Sequence, residues 1–177
     1  MTESLMQHSQ PTTVAKARAS RTDAVAILKA DHRQVERWFK DFDTTSLNNR
    51  KHELAANICK ALRIHTVLEE EIFYPAFLQA TGDETAHHEA IVEHAGALKL
   101  IEEIEQSPAI DGFFSARVHV LSEMIKHHVK QEEKPAGMFA QARKTDMDLE
   151  DLGRKMLRRR QDLNGERGKV EKAQAAA

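Results

Sequence analysis

Apolar residues recur at spacings of three and four along most of this chain, the repeat that lines one face of a helix. A first stripe runs Leu28, His32, Val35, Phe39 and Phe42, with Thr22 or Asp23 in position to cap the helix. A second, from about Arg50 to Leu78, carries Leu54, Ile58, Leu62, His65, Glu69 and Ile72 inward, and Pro75 is expected to kink or weaken its last turn. The third spans about Glu84 to Gln106 with Ile91, His94, Leu98, Ile101 and Ile104. The fourth carries Phe114, Val118, Leu121, Ile125, His128 and Glu132 and ends or bends at Pro135-Ala136-Gly137. Breaks fall at the polar stretch Asp43 to Asn49, at Thr81-Gly82-Asp83, and at Ser107-Pro108 with Asp111-Gly112. Leu149, Leu152, Met156 and Leu157 predict a shorter fifth helix, and Gln174 to Ala177 read as a frayed end.

Four long amphipathic helices with short connections predict an all-α, up-down-up-down antiparallel four-helix bundle with a short C-terminal extra helix. The expected organisation is a flexible polar arm over residues 1–20, the bundle over 21–143, and the extra helix with a basic tail over 144–177.

Composition agrees with helix. Aromatics make up 5% of the 177 residues, Gly and Pro are sparse, and helix formers dominate. The length is enough to bury a core without disulfides. No apolar run reaches the roughly 18–20 residues of a membrane span, and the N-terminus has no secretory pattern. Cys59 is the only cysteine, which points to a reducing cytoplasm. The formal net charge of −2 gives no global basis for nucleic-acid binding.

The ten histidines change the picture, because four lie on the inner stripes. The two halves of the chain nearly repeat. Asp31-His32 precedes His65-x-x-x-Glu69-Glu70, and Glu93-His94 precedes His128-x-x-x-Glu132-Glu133, with first-to-second histidine intervals of 33 and 34 residues. Residues four apart share a helix face, so His65 and Glu69 converge, as do His128 and Glu132, and antiparallel packing brings His32 and His94 level with them. Six buried polar groups, two of them carboxylates, need a neutralising partner. Two cations supply one, and mixed imidazole and carboxylate donors suit iron, manganese or zinc. If both glutamates bridge, each metal has two histidines and two carboxylate oxygens. A bridging oxo or hydroxo adds a fifth ligand and leaves a position for O2, peroxide, NO or water.

This pattern resembles the hemerythrin HHE cation-binding family over roughly Asp23 to Arg143. The carriers are Asp31-His32, the segment from His65 through Glu69 to Phe73-Tyr74-Pro75, Glu93-His94, and His128 with Glu132-Glu133. The resemblance implies two non-haem iron ions, one held by His32 and His65 and the other by His94 and His128, with Glu69 and Glu132 bridging. Oxygen-carrying hemerythrins have a fifth histidine where Leu98 stands, and an aspartate where Glu132 stands. The four-His, two-Glu set is more similar to bacterial HHE proteins and to iron-sensing and iron-centre-repair domains.

The resulting expectation is a di-iron protein that binds O2, NO or peroxide in oxidative or nitrosative stress defence, with peroxide decomposition as its reaction. The alternative is an iron or oxygen sensor or iron-handling protein without turnover. A metal-free interaction module is the third reading. The remaining residues have simpler expectations. His8, His52, His87, His88, His119 and His127 read as surface or helix-start residues, Glu36 and Tyr74 as packing or solvent-facing, and Trp38 and Phe39 as packing. Cys59 reads as buried packing. Glu70 and Glu133 read as outward surface charges, and Arg158-Arg159-Arg160 as a solvated helix face.

Overall fold

The computed structural model of the chain describes residues 22–107 and 112–175, with side-chain surroundings through residue 165. The expected N-terminal arm, His8 and the Pro108-to-Asp111 turn lie outside the described residues. These residues contain helices and no strand. Helix α1 spans Ala24–Thr44 and α2 Asn48–Leu68. A π-helical turn, Glu69–Phe73, joins α2 to α3, Tyr74–Thr81. Helix α4 spans Glu84–Glu105, α5 Gly112–Glu133, α6 Met138–Ala142 and α7 Leu149–Ala175.

Local chemistry sets these ends. The Asp23 carboxylate, rather than Thr22, caps α1 by accepting from the Ala26 N–H at 2.8 Å. Asp83 caps α4 in the same way through Ala86. Gly82, at φ 67°, takes the left-handed position that closes α3. The long helices pack in the cyclic order α1–α2–α4–α5, and α7 lies against α1, α2 and the π turn. No described helix is long and apolar enough to cross a membrane.

Pro75 does not simply weaken a helix end. It has no N–H, and its ring crowds the carbonyl four residues back. The chain responds by widening just before it, so that the Tyr74 N–H donates to the Glu69 carbonyl, five residues back. The extra residue rotates the inner face, and Phe73 and Tyr74 are fully buried where the regular repeat predicts Ile72. In α4, His94, Ile101 and Ile104 are buried as the spacing predicts, but Ala90 and Ala97 are buried where Ile91 and Leu98, both half-buried, were expected. The fifth helix is long, at 27 residues, and covers the expected frayed Gln174.

The core has two apolar clusters. One gathers Leu28, Phe73, Tyr74, Phe77, Phe139 and Met156, and the other Val35, Phe39, Ile58, Phe114 and Leu121. On α1, α2 and α4 the histidine falls between members of the two clusters, and on α5 His128 and Glu132 lie between Leu121 of one cluster and Met138 of the other, in α6, so a polar layer divides the interior.

Candidate metal centre

The structure brings together the six residues singled out from the sequence: His32 from α1, His65 from α2, Glu69 from the π turn, His94 from α4, and His128 and Glu132 from α5. All six are at most 5% exposed, and Glu69 is wholly buried. The imidazoles form two pairs, His32 Nε2 to His65 Nε2 at 3.1 Å and His94 Nε2 to His128 Nε2 at 3.3 Å. Glu69 reaches both, with Oε1 3.2 Å from His65 and Oε2 3.3 Å from His94. Glu132 Oε2 lies 3.4 Å from His32 and 3.6 Å from His128.

Each histidine is oriented from behind. His32 Nδ1 faces Glu133 at 2.9 Å and His94 Nδ1 faces Glu70 at 2.9 Å. His128 Nδ1 faces Glu93 at 2.8 Å, and His65 Nδ1 faces Asp31 at 3.4 Å. A carboxylate accepting from Nδ1–H selects the tautomer whose Nε2 lone pair points inward. Glu70 and Glu133 are therefore not the outward charges the sequence predicts. One position past an inward residue is a turn of about 100°, which carries the side chain over the seam with the next helix. The acids close a ring: Asp31 and Glu133 join α1 to its neighbours, and Glu70 and Glu93 do the same for α4.

Tyr74 was also underestimated. Its hydroxyl lies 3.2 Å from both Glu69 Oε2 and Glu132 Oε1, and 3.4 Å from His94 Nε2. The π turn sends it there, and its ring stacks on His94. The signal for the backing acids was present in the sequence, because all four repeat with the duplicated motif. Tyr74 had no such signal, since it has no counterpart in the second half. His87 packs edge-on against Tyr74 and is half-buried at the start of α4, whereas His127 stays exposed. Glu36 is exposed beside Arg33, and the Cys59 side chain is buried in the apolar core.

The electrostatics are those of ionisable groups buried close together. Burial alone would raise Glu69, but the His65 charge and bonds from His128, His65 and His94 hold it well below the usual carboxylate range. Burial, reinforced by the Glu69 charge, pushes Glu132 up to about 8. Burial would lower His65, yet Glu69 and Asp31 raise it to about 10. His128 is likewise raised against its burial by Glu69 and Glu93, while for His32 burial wins and lowers it. Burial and the two glutamate charges push Tyr74 well above its ordinary value, so its hydroxyl keeps its proton.

These donors fit a metal. Two nitrogens about 2.1 Å from one ion at a right angle stand about 3 Å apart, close to the separations within the two imidazole pairs. Buried Glu69 Oε1 and Glu132 Oε2 have no hydrogen-bond partner, although each lies within ion-pair reach of a histidine. Two overlapping groups have donor atoms close enough to hold an ion: His32, His65, Glu69 and Glu132, and Glu69, His94 and His128. Beside the imidazoles, Val35, Leu62, Ala97, Ile101, Ile125 and Val129 line a cavity of about 20 Å³. A wider recess of about 220 Å³ shares His32, Ile125 and Val129 with it. A further recess, about 660 Å³ between α3 and α7, lies away from the four clustered histidines.

The chain is similar to known proteins. A segment of a DNA nickase from Nostoc sp. (strain PCC 7120 / SAG 25.82 / UTEX 2576) is 27% identical over 107 residues, 60% of this chain. The match spans only 30% of that relative's own length. The crystal structure of a hemerythrin HHE cation binding domain-containing protein from Mycobacterium kansasii superposes with a TM-score of 0.66 at 23% identity. That superposition covers 81% of this chain and 88% of the other, and it establishes the shared helical fold. The family model of the hemerythrin HHE cation binding domain matches residues 23–140, the stretch that contains all six clustered side chains and the four acids behind them. This chain belongs to the hemerythrin HHE cation binding domain family.

Proposed function

We propose that this protein holds two non-haem iron ions, binds O2, NO or peroxide beside them, and decomposes peroxide in oxidative and nitrosative stress. In this reading His32 and His65 would hold one ion and His94 and His128 the other, with Glu69 and Glu132 supplying the carboxylates. The observation that carries it is the closed shell of four inward Nε2 atoms around two buried carboxylates, with a small apolar cavity beside them. Bound there, iron would supply Lewis acidity and a redox couple.

The chain's own residues do the rest. Asp31, Glu70, Glu93 and Glu133 hold the imidazole planes and pair with Nδ1, so that Nε2 is the atom each ring presents to the centre. The Tyr74 hydroxyl donates to one glutamate at a time and keeps a proton beside the cavity. The cavity, near the space of one water-sized probe, limits access to molecules of a few atoms, and its apolar wall excludes bulk water. The recess along Ile125 and Val129 supplies a path inward. The activity in the name of the cyanobacterial relative belongs to a protein of which this chain spans 30%, and the net charge of −2 offers no global footprint for a nucleic acid.

Steady-state oxygen release from peroxide by the iron-loaded protein tests the reading. Turnover that is lost in Glu69→Ala supports it. Iron binding without turnover favours the second reading, an iron or oxygen sensor. One observation favours that alternative: the C-terminal helix reaches the acid behind His65 through Arg160.

A further inference from the structure

Three of the four histidines are backed by a glutamate at 2.8–2.9 Å. His65 differs. Its backing acid is Asp31, at 3.4 Å, and the oxygen that faces His65, Oδ2, also accepts from the Arg160 guanidinium. Arg160 comes from α7, beyond the 23–140 stretch that defines the family. The helix is seated tightly enough to make this contact dependable. A Cβ on Gly153 would stand 2.0 Å from the Thr22 carbonyl oxygen, so only glycine permits the approach of α7 to the start of α1. Leu152 and Met156 are buried in the apolar cluster that holds Phe73 and Tyr74. One helical position before Arg160, Arg159 pairs with Glu71 of the π turn.

We propose that Arg160 is a positioning residue for the metal centre: through Asp31 it fixes His65, so that metal occupancy and docking of the C-terminal helix stabilise each other. Asp31 is about one-fifth exposed and, without a second partner, free to turn its carboxylate to water. Arg160 holds Oδ2 toward the imidazole, which fixes the ring plane and tautomer of His65. The linkage is reciprocal: an ion on His65 makes Nδ1–H a stronger donor, tightens Asp31, and thereby holds Arg160 and α7. Arg33 and Lys29 contact Glu133 of α5 behind His32, but both lie on the helix of His32 itself, so they bring in no element from outside the four-helix ring. This inference rests on the six-residue reading of the centre.

The test uses the full chain loaded with Co(II), whose paramagnetism shifts the exchangeable N–H protons of bound histidines to separate NMR signals. The wild type should show four such signals. Arg160→Gln should weaken Co(II) binding about tenfold, the lower end of the usual loss for an outer partner, and should speed solvent exchange of one signal while three stay unchanged. Arg160→Lys should restore most of both, and Arg159→Gln should alter neither. Amide exchange over residues 149–165 should slow on metal loading in the wild type and not in Arg160→Gln. Four signals with wild-type affinity and exchange in Arg160→Gln would overturn the role of Arg160 alone. A wild type that is folded but shows no shifted histidine signals would overturn the reading of the centre itself, and this inference with it.

Discussion

Three consecutive glutamates at the π turn point in three directions, and their alanine variants should separate accordingly. Glu69 is wholly buried between the histidine pairs, Glu70 is about one-third exposed with Oε1 on His94 Nδ1, and Glu71 is half-exposed against Arg159. Glu70→Ala removes one charge-assisted bond, worth about 1.5–3 kcal/mol when buried. The partial exposure of Glu70 places it near or below the low end of that range. At about 1.4 kcal/mol per decade, the expected loss of metal affinity is about tenfold, in keeping with other outer partners. Glu69→Ala should abolish binding of at least one ion, because one carboxylate serves both groups. Glu71→Ala should leave affinity unchanged, since among the described residues Glu71 pairs with Arg159 on the outside of the bundle. Competition with a chromophoric chelator under anaerobic Fe(II) loading gives the three values. Equal affinity for Glu70→Ala and Glu71→Ala would refute the assignment of Glu70 to His94. The sequence alone predicted no effect at Glu70, so the experiment also separates the two lines of reasoning.

Tyr74→Phe should destabilise the protein by about 1–3 kcal/mol in denaturant titration, because it leaves two buried carboxylates short of a donor. In metal-free protein, His65 binds its proton more tightly folded than unfolded, and so does Glu132. Their stabilisation is therefore present at low pH and lost on raising it, for Glu132 from its ordinary 4.5 to about 8 and for His65 from its ordinary 6.5 to about 10. Chelator-treated samples melted from pH 6.5 to pH 10 should show a falling Tm, and a rising one would contradict these shifts. Metal uptake at neutral pH should release protons, since both groups must shed theirs to coordinate, and calorimetry in buffers of different ionisation enthalpy measures the number. Removing metal should also lower Tm by an amount that grows with the free metal concentration before removal, as expected of a ligand that binds only the folded chain.

What the sequence made legible was whatever repeats with a helix. His32, His65, Glu69, His94, His128 and Glu132 all fall on inward stripes, and the three-and-four spacing of Leu28, Val35, Phe39 and Phe42 located the inner face of α1, although the helix runs on through Asp43 and Thr44, where a loop was expected. The remainder depended on relations between helices. Glu70 and Glu133 lie one step from an inward position, and a single-helix reading sends them to solvent. Only the neighbouring helix turns that direction into contact with His94 and His32. Tyr74 depends on the π turn before Pro75, a one-residue insertion that shifts the register of everything after it and puts Phe73 where Ile72 was expected. Arg160 reads as part of a basic run until α7 folds back onto α1.

The central claim is that the six clustered side chains hold two iron ions. Plasma mass spectrometry for metal content per chain, with an optical spectrum of the same sample, tests it most directly. The account predicts about two irons per chain, with near-ultraviolet bands that change on adding peroxide or reductant. A folded helical sample that holds no metal and takes up no Fe(II) under anaerobic conditions would contradict it.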